Sequence, residues 1–293
     1  MLLEPAPIRL RGPGVLSPAM ALLERNGVRV AYEVAGPDGP QAARDAPVVV
    51  LLHNIFCDRR VFAEVTPALR PHARVIALDL RGHGESPLPA TGYDIADLVA
   101  DVVAVLDREG APRATVVGVS IGATVAMELA LAHPARVERL VLMGADGDAD
   151  RGLVALRNGL FRALVRLMGL RGFLLDSVLK TLLGSTFRRD GGPRFAAQAA
   201  RIAAFSPRAA AAAMAAWSGR RPLLAAVATV SVPSLVVVGD EDVSCPLPCG
   251  EAVATALPAA RLVHLPAAGH TMTAEQPEAA GQILLKFLAE TPA

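Results

Sequence analysis

The chain has 293 residues, of which 53% are hydrophobic and 19% are charged, and its formal net charge is +1. This composition indicates a globular protein with a large core, and a charge so close to zero gives no reason to expect a nucleic-acid partner. No apolar run reaches the roughly 18–20 residues that span a bilayer, and the Pro-rich residues 1–19 do not resemble a secretory signal.

The N-terminal segment and the cysteines set two further expectations. Residues 1–19 are expected to form a disordered extension, and Met20, directly before the first strand-like segment, is an alternative start. Cys57, Cys245 and Cys249 form no Cys-x-x-Cys pair and no disulfide framework. A reducing, cytoplasmic setting without a membrane partner is therefore expected, and the sequence leaves a monomer and a homodimer open.

The first half of the chain alternates strand-like and helix-like segments. Asn26-Gly27 predicts the turn of a hairpin over residues 21–35, a loop follows to Ala46, and the continuous apolar run Val48–Leu52 predicts a strand covered on both faces. Further strands are predicted at residues 74–80, 114–119 and 140–143, with helices near residues 59–70, 94–108 and directly after Ser120. The alternation favours a parallel sheet with right-handed crossovers.

From about Asp146 to Thr229 only helical spacing remains, which predicts a group of helices inserted between two strands. We call this insertion, residues 146–230, the lid. Residues 148–221 contain thirteen Arg or Lys and four Asp, a net charge of +9 that leaves −8 for the rest of the chain. A strand at 233–239, a helix near 247–256, a strand at 261–265 and a helix near 274–289 then complete a core made of residues 20–145 and 231–293.

The most informative motif is Gly118-Val119-Ser120-Ile121-Gly122, which follows a β-branched run and opens a helical repeat. A serine between a strand and a helix takes a strained backbone conformation, and small residues two positions away on either side permit so sharp a turn. The turn exposes the hydroxyl above the sheet and aims the helix N-terminus at the same point. Ser120 is therefore the predicted nucleophile.

A serine hydroxyl needs a base to take its proton, and the base needs an orienting acid. His270, after the last short strand, is the predicted base; the other histidines lie in loops, at a helix end or within a strand. Asp242, in the acidic loop after a buried strand, is the first choice for the acid, and Asp240 and Asp146 remain alternatives. The chain order Ser, Asp, His fits this type of turn.

Attack on a carbonyl produces an oxyanion that backbone N–H donors must stabilise. Ile121, the residue after the nucleophile, supplies one N–H at the helix N-terminus. The second is expected from the loop His53–Asp58, where we assign it to Ile55 and leave a neighbouring amide as the alternative.

Taken together, His53-Asn54-Ile55-Phe56, Asp79–Ser86, the Ser120 motif, Gly239–Asp242 and Gly269-His270 resemble the α/β-hydrolase superfamily over residues 22–290. The resemblance implies an eight-stranded, mostly parallel sheet with helices on both faces, a helical lid, and a Ser120–Asp242–His270 triad. The chain is similar to the 3-oxoadipate enol-lactonase and small-esterase branch, which also resembles cofactor-free haloperoxidases. A serine at the turn argues against the dehalogenase and epoxide hydrolase branches.

One departure is Asn54, where many relatives have glycine. Asn tolerates positive φ better than other non-glycine residues, so the loop is still expected to form, but the aim of the second oxyanion donor is in question.

The lid gives one indication of the substrate. On a helical wheel of residues 151–168, Arg157 falls within an apolar arc, whereas Arg151, Arg162 and Arg166 lie opposite. The arc contains Leu153, Leu160, Phe161, Leu164, Leu167 and Met168. A guanidinium in that position must extend to solvent, pair with an acid or bind an anionic ligand.

The sequence thus predicts a serine hydrolase that cleaves a small carboxylic ester or lactone through an acyl-enzyme, with no metal or organic cofactor. Asn54, Phe56 and Arg157 are the expected substrate-binding residues. The alternatives are a cofactor-free haloperoxidase or perhydrolase that uses the same triad, and a non-catalytic ligand receptor on the same fold.

Overall fold

A computed structural model of the chain describes residues 19–25 and 27–290, and these contain eight strands in one sheet. The strands are β1 (Ala19–Arg25), β2 (Val28–Ala35), β3 (Val48–Leu52), β4 (Arg74–Leu78), β5 (Ala114–Val119), β6 (Val137–Met143), β7 (Ser234–Gly239) and β8 (Ala260–Leu265). Of the predicted N-terminal extension, Ala19 belongs to β1 instead, and the remainder lies outside the described residues, as does Asn26 of the hairpin turn.

The strand order is β1-β2-β4-β3-β5-β6-β7-β8. β1 and β2 form the predicted hairpin, with Arg25 opposite Val28, and β2 also pairs antiparallel with β4. The five remaining pairings are parallel. The predicted mostly parallel eight-stranded sheet is therefore confirmed.

Helices cover both faces of this sheet. Alternate residues of the central strands point to opposite sides, and both sides are buried. Val49 and Leu51 of β3 belong to one buried cluster, and Val50 and Leu52 belong to the other. A strand covered on both faces reads as a continuous apolar run, which is the pattern of residues 48–52 in the sequence.

The helices are α1 (Pro40–Asp45), α2 (Thr66–Leu69), α3 (Ile95–Arg108), α4 (Ile121–Ala132), α5 (Gly152–Met168), α6 (Gly172–Leu182), α7 (Ser185–Asp190), α8 (Gly192–Ala203), α9 (Pro207–Ser218), α10 (Leu224–Val227), α11 (Leu247–Ala256), α12 (Met272–Glu275) and α13 (Pro277–Ala289). α1 lies where only a loop was predicted. The helix predicted near 59–70 is instead a 3-10 turn, Arg59–Phe62, followed by α2. The helix predicted near 274–289 is likewise split, because Pro277 has no N–H and begins a new helix.

The helices α5–α10 all lie between β6 and β7 in the chain. The segment closes on itself, because the Leu223 N–H donates to the Gly147 carbonyl at 2.7 Å. α10, although inside the predicted lid, packs against α4 and α11 beside the sheet. The chain therefore leaves the core after Gly147 and returns to it at Leu223. We call this hydrogen-bonded pair, which flanks residues 148–222, the neck.

The buried side of α5 differs from the predicted apolar arc. Leu153, Leu160 and Leu167 are 83%, 63% and 81% exposed, whereas Val165 is fully buried. The reason is that α5 packs along α9, which covers one side of the helix and leaves the leucine side open. Arg157 is exposed rather than enclosed by that arc.

The Asp79–Ser86 motif braces the loop that follows β4. The Asp79 carboxylate accepts N–H bonds from Arg59 and Glu85, both at 2.8 Å, and Cβ built on Gly84 would come within 2.2 Å of it. The Ser86 hydroxyl donates to the Asp79 carbonyl at 2.7 Å. The motif therefore stabilises the fold and carries no group of the predicted chemistry.

No helix among residues 19–25 and 27–290 combines the length and the apolar composition that crossing a bilayer requires.

Candidate active site

Ser120 lies at the turn between β5 and α4, with φ 55° and ψ −115°. Its N–H donates to the Met143 carbonyl of β6 at 2.9 Å, which fixes the strained backbone to the sheet. Cβ built on Gly118 would come within 2.2 Å of the Gly122 carbonyl oxygen, and Cβ on Gly122 would come as close to the Leu52 carbonyl oxygen. Both glycines are thus sterically required, as the motif predicts.

The N-terminus of α4 begins directly after Ser120. The Thr124 N–H makes a helical bond to the Ser120 carbonyl at 3.0 Å, so the Ile121 amide belongs to the first turn, whose N–H groups have no helical acceptor. The Ile121 side chain is fully buried in the core and anchors this amide. The position suits an N–H donor aimed at an oxyanion above Ser120.

His270 and Asp242 form a buried hydrogen-bonded pair. His270 Nδ1 lies 2.8 Å from Asp242 Oδ2, and both side chains are fully buried. Asp242 Oδ1 accepts N–H bonds from Ser244 at 2.9 Å and Cys245 at 2.8 Å. A carboxylate held in this way keeps the imidazole in one orientation, with Nδ1 as the donor and the lone pair at Nε2.

The two alternative acids make other contacts. Asp240 Oδ1 lies 3.4 Å from His264, in an exposed pair, and Asp146 Oδ2 accepts from Arg220 at 2.9 Å. Among the three candidates, the structure brings only Asp242 to His270.

Within the described part of the chain, His270 Nε2 is buried and has no hydrogen-bond partner. Ser120 and His270 are therefore not hydrogen-bonded to each other in this structure. Such contacts are commonly long in ligand-free enzymes and shorten when substrate binds.

Gly144, just after β6, was not singled out in the sequence. Its φ is 55°, and Cβ at this position would come within 2.9 Å of His270 Nδ1 and 3.1 Å of Asp242 Oδ2. The signal that could have revealed it is a glycine at the end of a buried strand beside the Ser120 turn. Its missing side chain makes room for the His–Asp pair.

The loop after β3 contains the predicted second oxyanion donor. The Cys57 N–H donates to the Asn54 carbonyl at 3.2 Å, which closes a turn with Ile55 and Phe56 at its centre. The residue with positive φ is Phe56, at 60°, and not Asn54 as expected, because the third position of this turn requires the left-handed conformation. The Asn54 carboxamide instead donates to the Thr271 hydroxyl at 2.9 Å, beside His270.

His53 supports the same loop. Its Nδ1 is 2.8 Å from the Asn54 carbonyl oxygen, and its Nε2 accepts from the Leu80 N–H at 2.9 Å. Burial lowers the pKa of His53 to about 4 and that of neighbouring His83 to about 3. Both rings are therefore neutral supports for loops and poor candidates for a base that works near neutral pH.

A cavity of about 550 Å³ lies between this loop and the lid. Ile55 and Phe56 line one side, and Val243 and Ser244, directly after Asp242, line another. The lid contributes the apolar side chains of Val154, Phe161, Val178, Leu182, Met214 and Trp217. Asn54 is not among the lining residues, and neither are Ser120, Asp242 and His270; all four are buried.

Two arginines, Arg220 and Arg157, line the cavity, and they differ in whether a carboxylate is bound to them. Arg220 lies 3.7 Å over the Trp217 ring and binds Asp146 at 2.9 Å and Asp150 at 3.2 Å. In contrast, no carboxylate of residues 19–25 or 27–290 lies within 4.0 Å of the Arg157 guanidinium. Arg157 is therefore the cavity arginine that can bind an anionic group.

Over the same described ranges, no three His, Cys, Asp or Glu side chains cluster so as to hold a metal ion.

A family profile described as "alpha/beta hydrolase fold" matches residues 47–277. The chain therefore belongs to the α/β-hydrolase fold family, and the predicted resemblance is confirmed.

Two curated relatives span nearly the whole chain. A Bacillus subtilis protein provisionally named 2-succinyl-6-hydroxy-2,4-cyclohexadiene-1-carboxylate synthase is 28% identical over 90% of this chain and 96% of its own length. A Variovorax paradoxus protein provisionally named carbamate hydrolase RutD is 30% identical over 89% and 97%.

Among solved structures, a thermophilic esterase from Thermogutta terrifontis is similar with a TM-score of 0.84 and 25% identity, covering 92% of this chain and 98% of its own. The enol-lactonase from Burkholderia xenovorans has a TM-score of 0.83 and 27% identity, with 92% and 100% coverage. BpoC from Mycobacterium tuberculosis, provisionally described as a non-heme bromoperoxidase, has a TM-score of 0.76 and 27% identity, with 89% and 95% coverage.

Proposed function

We propose that the protein is a serine hydrolase that cleaves a small carboxylic ester or lactone through an acyl-enzyme. The observation that carries this proposal is the buried Asp242–His270 pair, 2.8 Å between Oδ2 and Nδ1, at the same end of the sheet as the strained Ser120 turn. The similar esterase and enol-lactonase structures support the same reaction class.

In this mechanism the Ser120 oxygen attacks the carbonyl carbon while its proton passes to His270 Nε2. The N–H groups of Ile121 and Ile55 hold the developing oxyanion, and losing one such donor costs roughly 100-fold or more in rate. The imidazolium then protonates the departing alcohol oxygen, which leaves an acyl-enzyme. Water, deprotonated by His270, attacks the ester carbon, and collapse of the second oxyanion returns the proton to Ser120 and releases the acid.

The substrate is proposed to carry a carboxylate near the scissile bond. Arg157 lines the cavity and has no carboxylate of residues 19–25 or 27–290 within 4.0 Å of its guanidinium, and Phe56 adds an aromatic wall next to the Ile55 donor. A guanidinium can bind a carboxylate through two parallel N–H bonds, which adds geometric specificity to the charge attraction. Asn54 supports the site indirectly, because its carboxamide donates a hydrogen bond to the hydroxyl of Thr271, the residue after His270.

The test of the main proposal is a screen over p-nitrophenyl esters of increasing chain length, lactones and carboxylate-bearing esters. Ser120→Ala is expected to lower kcat by ~10⁴–10⁶-fold while the protein stays folded. A fluorophosphonate should label the wild type once and leave the variant unlabelled. Labelling at another residue contradicts the assignment of the nucleophile.

The second candidate is a cofactor-free perhydrolase, favoured by the similarity to BpoC. In that reaction hydrogen peroxide, instead of water, attacks the acyl-enzyme and gives a peracid. Hydrolysis and peracid formation are compared at increasing peroxide concentration. A non-catalytic receptor would instead show near single-turnover kinetics and tight retention of product.

The proposal keeps a small-molecule partner and a cytoplasmic setting. The cytoplasmic setting is proposed from the sequence, in which Cys57, Cys245 and Cys249 form no disulfide framework. Light scattering on the purified protein decides between the monomer and the homodimer.

A further inference from the structure

A short lid segment between α6 and α7 lies directly on the loop that carries His270. The Leu182 carbonyl accepts hydrogen bonds from the Thr271 N–H at 3.0 Å and from the Thr271 hydroxyl at 2.9 Å. Cβ built on Gly269 would come within 2.2 Å of the Gly184 nitrogen, and Cβ on Gly184 within 2.8 Å of the Gly269 nitrogen. The two backbones therefore touch, and neither position has room for a side chain.

The Glu275 carboxylate sits at this contact and receives three N–H donors. Oε2 accepts from Gly184 and from Gly269, each at 2.8 Å, and Oε1 accepts from Thr271 at 2.9 Å. The side chain is only 2% exposed, and burial raises its pKa above the ordinary value although the three N–H bonds oppose this. A carboxylate buried at this cost indicates that its bonds matter to the site.

A second carboxylate joins the same lid segment to the Asp242 loop. Glu241, directly before Asp242, accepts from the Ser185 hydroxyl at 3.0 Å and the Thr186 N–H at 2.8 Å through Oε2. Its Oε1 accepts from the Thr186 hydroxyl at 2.5 Å. Residues 182–186 thus bind both loops that supply the Asp–His pair.

We propose that Glu275 is a positioning residue for His270, which couples the seating of the lid at Gly184 to the orientation of the imidazole. This inference rests on the serine-hydrolase function proposed above. The carboxylate binds the amides on both sides of the histidine, at Gly269 and Thr271, and the lid amide at Gly184. Displacing the lid segment therefore removes the Gly184 bond that holds the Glu275 carboxylate in place, together with the two bonds from Thr271 to the Leu182 carbonyl.

The geometry distinguishes this role from general stabilisation. Glu275 is buried and binds the backbone N–H groups of Gly184, Gly269 and Thr271, so its loss should leave substrate binding nearly unchanged. His270 acts only during bond making and breaking, so misorientation should lower kcat. We expect Glu275→Gln to lower kcat by ~10–100-fold, because a misplacement of about 1 Å at a reacting group costs on the order of 100-fold in rate. KM should change far less than kcat.

The experiment uses the full chain and p-nitrophenyl acetate, with kcat expressed per Ser120 titrated by a fluorophosphonate. Gly184→Ala is a second variant that disturbs this region from the lid side, because its Cβ would come within 2.8 Å of Glu275 Oε2 and within 2.7 Å of Glu241 Oε2. The matched control is Glu278→Gln, three residues further on and exposed. Glu278→Gln should equal the wild type, and combining the two test variants should be no worse than the more impaired of them.

The outcomes separate the inference from the proposed function. An active wild type with Glu275→Gln and Gly184→Ala both matching Glu278→Gln overturns the positioning role alone. Two other results also overturn it. One is a rise in KM as large as the fall in kcat, and the other is a loss of activity that disappears when the rate is expressed per titrated Ser120. A wild type that neither hydrolyses the ester nor takes the label at Ser120 refutes the proposed function itself.

Discussion

Gly144 leaves no room for a side chain behind the Asp242–His270 pair, and we expect Gly144→Ala to impair hydrolysis. The added Cβ would come within 2.9 Å of His270 Nδ1 and 3.1 Å of Asp242 Oδ2. Ordinary contacts between non-bonded heavy atoms are about 3.5–4.0 Å, so the imidazole has to shift by several tenths of an ångström. Such a shift should move Nε2 away from the position at which it accepts the Ser120 proton in the proposed mechanism.

Two effects add up in this variant. Alanine in the left-handed region, at φ 55°, costs about 1–2 kcal/mol of stability. A displacement of 1 Å at a reacting group costs on the order of 100-fold in rate, so a smaller shift should lower kcat by ~10–100-fold.

The matched control is Gly110→Ala. Gly110 has φ 61° and no heavy atom within 4 Å of the Cβ position, so this variant carries the backbone cost without the contact. Urea unfolding should show a loss of stability in both variants from the positive φ, and a larger loss in Gly144→Ala because of the close contacts. The kcat per titrated Ser120 should fall only in Gly144→Ala. Equal kcat values in the two variants would show that a Cβ at position 144 does not disturb the Asp242–His270 pair, and would refute this prediction.

Two further predictions concern the cavity and the pH dependence of stability. Arg157→Met should raise KM for carboxylate-bearing esters and leave KM for neutral esters little changed. The control Arg166→Met, at an exposed position of the same helix, should change KM for neither class. Equal effects of Arg157→Met on both ester classes contradict an anion-binding role. Because burial lowers the pKa of His53 and His83 from 6.5 to about 4 and 3, the unfolded chain binds protons first as the pH falls. The free energy of unfolding should therefore drop between about pH 6.5 and 4, by ~1.4 kcal/mol per pH unit for each histidine, and the exposed His72→Asn should keep this slope in urea unfolding.

The features that the sequence predicts well depend on residues close together in the chain. The strand at 114–119 and the helix at 247–256 have the predicted bounds, because apolar periodicity and local breakers define them. The Ser120 turn is equally local, since its glycines are two residues away on each side.

The features that the sequence does not predict depend on distant partners. The buried side of α5 is set by α9, some forty residues later, so the amphipathic pattern placed Phe161 and Leu164 correctly against buried residues but Leu153, Leu160 and Leu167 wrongly. Glu275 is an ordinary helix-end glutamate until Gly184 approaches it from the lid. The positive φ of Phe56 likewise depends on which residues close the turn.

The neck at Gly147 and Leu223 has a consequence for engineering. The 2.7 Å bond between the Leu223 N–H and the Gly147 carbonyl already holds the two ends of the intervening segment together. The core therefore has to bridge only a short gap at this point, whatever the length of the segment. Lengthening such a loop costs little, since closure entropy rises only with the logarithm of the number of residues. Residues 148–222 are thus a natural unit for grafting, and a transplanted lid needs to reproduce the neck, the donors that Glu241 and Glu275 receive, and the Leu182 carbonyl that binds Thr271.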